Sequence, residues 1–136
     1  MIKPIMKNES FLKQPSEPAT LDDAGVAQDL LDTIMAHAEE CVGMAANMIG
    51  VRKNIIVVND NGMYITMLNP QILSHAGSFR TQEGCLSLEG TRHCIRYRTI
   101  KVAWSDLDDK QHMHTYTGRT AVIIQHECDH LHGVLI

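Results

Sequence analysis

Apolar and polar positions change rhythm along this chain, and each rhythm predicts an element. Ala24, Ala27, Leu31, Ile34, Met35 and Ala38 recur at the spacing of one helix face, which predicts a helix over 21–39. Thr20 stands three residues before Asp23, and a hydroxyl and a carboxylate so spaced satisfy free amides at a helix start. Ahead of them, residues 13–18 hold two prolines and few apolar side chains, so they read as a loop.

From residue 54 the pattern turns to β. Residues 54–58 form a short apolar run, Asn61-Gly62 suits a tight turn that needs positive φ, and residues 63–68 return. Asn69-Pro70 is expected to break that strand. Residues 71–75, 94–97 and 99–104 are further candidate strands, and Asp108-Asp109 forms a turn before a last one at 112–116. After Gly118 helical spacing resumes. Val122, Ile123, His126 and His130 cluster on one side, predicting a helix over 119–132 with Gly133 as its stop. The expected architecture is α+β, one domain over residues 1–136, with mostly antiparallel sheets packed around the C-terminal helix.

Composition narrows the class. A hydrophobic fraction of 44% suits a folded globular chain, and a net charge of −4 with interspersed signs offers no basic stripe for nucleic acid. No apolar stretch approaches membrane-spanning length, and the N-terminus lacks the apolar run of a signal peptide. Cys41, Cys85, Cys94 and Cys128 are therefore expected as reduced thiols in a cytoplasmic protein without a membrane partner. Met44, Met48, Met63 and Met67 are expected to provide pliable packing.

The chemistry concentrates in His126-Glu127-Cys128-Asp129-His130. Residues four apart share a helix face, so both imidazoles can reach one ion, while Glu127 sits one step round as a proton acceptor for water. Chance occurrence in a chain with eight histidines is the competing explanation. A catalytic ion takes three protein ligands and keeps one position open. Only six residues follow His130, so the third ligand must come from upstream. Cys85, Cys94, Cys41, Glu83, His75 and His93 are the candidates, and spacing does not choose among them.

Glu83-Gly84-Cys85-Leu86-Ser87, followed by Gln125-His126-Glu127-Cys128-Asp129-His130 and preceded by Gly43-Met44-Ala45-Ala46-Asn47, resembles the peptide deformylase family. The blocks stand in that family's order, and the resemblance covers residues 20–136. It implies a peptide deformylase-like fold and selects Cys85 as the third ligand beside His126 and His130. It further implies Fe2+ as the usual ion, with Zn2+, Ni2+ or Co2+ as substitutes. Glu127 would be general base and then general acid, and the Leu86 amide would donate to the oxyanion. Val42, Gly43, Arg92 and Val122 would line a cleft for an N-formylmethionyl peptide or nascent chain.

Departures from the family pattern G-x-G-φ-A-A-x-Q (φ apolar) qualify the expected rate. Cys41 replaces the first glycine, and Met48 replaces a glutamine whose amide helps hold the oxyanion. Methionine has no donor, and Asn47 next to it is expected to point elsewhere. Glu89 stands where the family commonly has proline. The chain stops at Ile136 without the C-terminal helix that contacts the ribosome in some members, so contact by that route is not expected.

The remaining candidates have plainer readings. Cys41, Cys94 and Cys128 are expected as small buried hydrophobes, and His112 and His114 as ordinary strand histidines rather than a second metal site. Asp129 would either orient a ligand histidine or pair with a nearby charge. The expected function is release of formate from N-formylmethionyl peptides. The alternatives are hydrolysis of another N-acyl amide and a weakly active or non-catalytic homologue.

Overall fold

In the computed structural model, which describes residues 1–136, five strands form one antiparallel sheet in chain order. They are β1 (Gly43–Ala45), β2 (Ile55–Asp60), β3 (Met63–Cys85), β4 (Leu88–Ser105) and β5 (Gln111–Thr117). Each strand pairs with its sequence neighbour; residues 46–54, with a 3-10 turn at Ala46–Ile49, join β1 to β2, and shorter turns join the others. Asn61 and Gly62 take φ of 52° and 97°, as their turn requires, and Asp109 takes 61° ahead of β5.

The expected break at Asn69-Pro70 is instead a bulge inside the 23-residue β3. The β3–β4 register shifts between Leu68 and Gln71, where a proline without an N–H removes no ladder bond. Asn69 takes a φ of 53°, and its side-chain amide makes two 2.8 Å bonds to the backbone of Ala19. Backbone from outside the sheet, gripped by a side chain of the strand, therefore stabilises what local propensity would interrupt. The separate candidates at 94–97 and 99–104 likewise merge into the 18-residue β4. Residues 73–78 are all exposed, so no buried face imposes the alternation that would have revealed this ribbon.

The first long helix, α2 (Ala24–Ala36), is shorter than the predicted 21–39. Residues 21–23 form a 3-10 turn, in which Asp22 N–H donates to the Thr20 hydroxyl and Thr20 N–H to the Asp23 carboxylate. The residues after Ala36 continue as turns, beginning at His37, whose N–H bonds the Ile34 carbonyl. A four-residue helix, α1 (Glu9–Leu12), precedes α2 and had no signal in the apolar pattern. The last helix, α3 (Gly118–Leu131), lies within a residue of its expected bounds, and Gly133 follows it at a φ of 77°.

Leu30 and Ile34 of α2, Ile55 to Val58 of β2, Ile100 and Val102 of β4, and Ile124 of α3 form one core. Each such side chain, fully buried, contributes about 1.5–3 kcal/mol relative to exposure. Met44, Met48 and Met67 pack there as expected, whereas Met63, beside the β2–β3 turn, is 69% exposed. Cys128 is buried, Cys41 and Cys94 are only half-buried, and all four cysteines are free thiols. No helix is long and apolar enough to cross a membrane.

Candidate metal centre

Helix α3 is held in place by polar side chains as well as by its apolar face. Gln125 pairs with Tyr97 of β4 as a strand would, accepting from its N–H and donating to its carbonyl at 2.8 Å each. Thr120 donates to Asp60 at the end of β2 (2.7 Å), and the Asn47 amide donates to the His130 carbonyl (2.9 Å). Asn47 thus spends its amide on the helix rather than on the cleft, as its neighbouring position suggested.

At the other side of the site, β3 ends at Cys85 and turns through Leu86 and Ser87 into β4. Glu83 and Cys85, two apart on a strand, point to the same face. That face meets α3. The ligand atoms of Cys85, His126 and His130 all lie within 4.8 Å of one another. His75, His93, Cys94 and Cys41, the other upstream candidates, are outside the group. His75 stacks on Tyr97, His93 bonds Gln82, and the Cys41 thiol donates to the Gly43 carbonyl at 2.8 Å. His112 and His114 gather no donor set of their own; His112 pairs with Asp106 at 2.7 Å.

The geometry of this group fits a metal ion. Glu83 accepts from His126 Nδ1 at 2.7 Å, which leaves the Nε2 lone pair facing the cluster. His130 Nε2 lies 3.1 Å from His126 Nε2. Two ring nitrogens this close can be bridged by an N–H···N hydrogen bond or by a metal ion. Burial disfavours charge on both rings, but Glu127, Cys85 and Glu83 raise His126 to about 10, while burial and charged His126 lower His130 to about 3. A thiolate with two imidazoles suits Zn2+ or Fe2+.

Asp129 turns out to pair with a charge. Arg96, 4% exposed, donates to Asp129 at 2.7 Å and to both carboxylate oxygens of Glu83 at 2.8–3.1 Å. Burial opposes ionisation of Glu83, yet its bonds to His126 and Arg96 hold it near 2. Glu83 appeared in the sequence only as a possible ligand, and Arg96 carried no sequence signal. Alternation with Cys85 along a strand is the signal that could have placed Glu83 beside the site.

Glu127 is 3% exposed, and its Oε1 has no hydrogen-bond partner. Burial first of all raises its carboxyl to about 7, with the negative charge of Glu83 also contributing. A buried carboxyl poised near neutrality can both accept and return a proton.

A cleft of about 360 Å³ opens onto these groups. Val42, Gly43, Met48, Leu86 and Val122 line it, together with Cys85, His126 and Glu127. Glu40 and Arg119, which the sequence did not single out, form part of its wall. Arg92 does not line it; on β4 opposite Glu83, its guanidinium donates to the Glu89 carbonyl at 3.4 Å.

Gly43 has no room for a side chain. A Cβ there would lie 2.6 Å from Ile123 Cγ2 and 2.8 Å from Glu127 Oε2. Gly43→Ala is expected to destabilise by about 1–3 kcal/mol through overpacking. An unchanged urea midpoint would show that Ile123 and Glu127 can simply move aside.

Comparisons with known proteins bear on the family and the fold. The family model described as polypeptide deformylase matches residues 2–136. The chain is 48% identical over 136 residues to a peptide deformylase of Clostridium beijerinckii, covering all of both chains. It is 36% identical to one of Leptospira biflexa, covering 97% of this chain and 80% of that one. Among solved structures, a class I type b peptide deformylase from Acinetobacter baumannii with Met-Ala-Ser bound is similar at a TM-score of 0.89. Its identity is 27%, with 99% of this chain and 97% of that chain covered.

Proposed function

The chain belongs to the peptide deformylase family, and from that premise we propose that it hydrolyses the formamide of N-formylmethionyl peptides, releasing formate. The observation that carries this is that the ligand atoms of Cys85, His126 and His130 converge, beside a cleft that Cys85, His126 and the buried Glu127 line.

A divalent ion held by those three residues, Fe2+ by family usage, would supply the Lewis acidity that brings water's pKa near neutrality. Glu127 takes the proton from the attacking water and passes it to the departing amine, freeing the methionine N-terminus. Glu83 keeps His126 in the tautomer that presents Nε2, and Arg96 keeps Glu83 in place. The Leu86 N–H donates to the oxygen on which charge develops. Val42, Gly43 and Val122 flank an extended peptide, and Arg92, outside the cleft lining, is left a contact further along it.

Met48 lowers the rate in this proposal. It lines the cleft but offers no donor, and one missing oxyanion donor costs about 10²–10³ in rate, or roughly 3–4 kcal/mol. Formate release from formyl-Met-Ala-Ser, with protein loaded anaerobically with Fe2+, tests this. Met48→Gln is expected to raise the rate by roughly 10²–10³. An unchanged rate would mean that position 48 is not limiting. The same residue motivates a second reading: absence of formate from both proteins would direct attention to another N-acyl amide.

A further inference from the structure

The two ends of the cleft differ in how their charges are used. At the inner end each carboxyl has a role: Glu83 is bonded to Arg96 and His126, and buried Glu127 carries the proton. At the outer end stand Glu40 and Arg119, both exposed, and neither takes part in an ion pair. Arg119 is the only lysine or arginine in the lining.

Helix α3 sets its place. Arg119, Val122, Ile123 and His126 recur at steps of three and four, so one stripe of the helix runs from the guanidinium past two apolar side chains to an imidazole of the grouped ligands. From Arg119 to His126 the helix rises about 10 Å. An extended peptide advances about 3.3 Å per residue, so one whose formyl group reacts beside His126 draws level with Arg119 at its second or third residue. Fold stability gives no reason for a cation here. Arg119 is the second residue of α3, where positive charge opposes the helix dipole, and no acidic side chain in the first turn offsets it.

We propose that Arg119 is a specificity-determining residue that selects peptides with a carboxylate side chain at the second or third residue, counting formylmethionine as the first. The inference rests on the proposed deformylase reading and adds a preference to it. A guanidinium presents paired N–H donors that match a carboxylate. Glu40, in the same lining, repels that carboxylate, so neutralising Glu40 sharpens the preference. Both charges are open to solvent, so the effect is modest and screened by salt.

The test uses the full chain loaded anaerobically with Fe2+, and C-terminally amidated formyl-Met-X-Ser and formyl-Met-Ala-X peptides in which X is Glu, Gln or Lys. Wild type is expected to favour Glu over Lys by roughly tenfold in kcat/KM at one or both positions, with Gln between them. The ratio should shrink toward one in about 0.5 M salt. Arg119→Gln should bring it near one, Arg119→Glu should invert it, and Arg119→Lys should keep most of it. Glu40→Gln should widen it. A variant that merely folded less well would lose rate on every peptide alike and keep the ratio. Equal kcat/KM for Glu and Lys peptides at both positions in wild type would overturn the proposal, as would a preference that survives in Arg119→Glu. Binding of the same peptides, read by competition against a fluorescent formyl-Met peptide, keeps the two levels of inference apart. If no peptide releases formate, the deformylase reading fails and binding decides the subsite. A preference for Glu that Arg119→Gln abolishes then sustains the assignment, and equal or absent binding ends it.

Discussion

Glu127→Ala is expected to lower formate release from an N-formylmethionyl peptide by roughly 10²–10⁴ while leaving the ion in place. The two effects separate because the carboxylate is not one of the three grouped ligands, although it neighbours His126 in sequence. What the variant loses is a proton carrier. Glu127 is buried, its Oε1 is unpartnered, and burial holds its carboxyl near 7, where acceptance and donation are both accessible. The isosteric Glu127→Gln should lose the same activity without opening a cavity. Stability should not fall in that variant, because a carboxyl buried with an unpartnered oxygen opposes folding. Metal content by elemental analysis, a urea midpoint and a single-turnover assay together check this. A Glu127→Ala protein that works at the wild-type rate would remove the carboxylate from the mechanism.

Arg96→Leu is expected to destabilise the fold by about 3–5 kcal/mol, because removing one partner leaves buried charge uncompensated. Arg96 bridges β4 to β3 through Glu83 and to α3 through Asp129, so three elements lose a shared anchor. The effect should reach the metal centre by one hydrogen bond. Without the guanidinium, Glu83 is freer to turn from His126 Nδ1, and loss of such an outer partner costs about 10–100-fold in metal affinity. Denaturant unfolding and Zn2+ competition measure the two consequences separately. Combining Arg96→Leu with Glu83→Gln should recover part of the stability by removing the stranded charge. A change below about 1 kcal/mol in Arg96→Leu, with zinc affinity intact, would show the ion-pair chain to be dispensable.

The parts of the fold legible in the sequence are those where short-range chemistry and burial agree. Helix α3 declares itself by apolar residues at helical spacing and a glycine stop, and it lies within a residue of expectation. The Asn61-Gly62 turn and the strands flanking it follow from positive φ at both central residues. The long β3–β4 ribbon was not legible, since its outer part buries neither face and so carries no alternation. Asn69-Pro70 misled for a related reason: the bonds from Asn69 to Ala19 that sustain the bulge span fifty residues.

The candidate site divides along the same line. Sequence alone determined that His126 and His130 share a helix face with Glu127 beside them, because a helix is a local structure whose geometry needs no partner. It also determined that a third ligand must lie upstream, but left six residues open until the family resemblance selected Cys85. Only the tertiary structure brings the end of β3 under α3, sets Glu83 against His126, buries Arg96 between two carboxylates, and lays the Met48 sulfur beside Cys85. Those contacts join segments far apart in the chain. They depend on strand register and on how a helix is clamped across a sheet, and neither is encoded in the spacing of any single stretch.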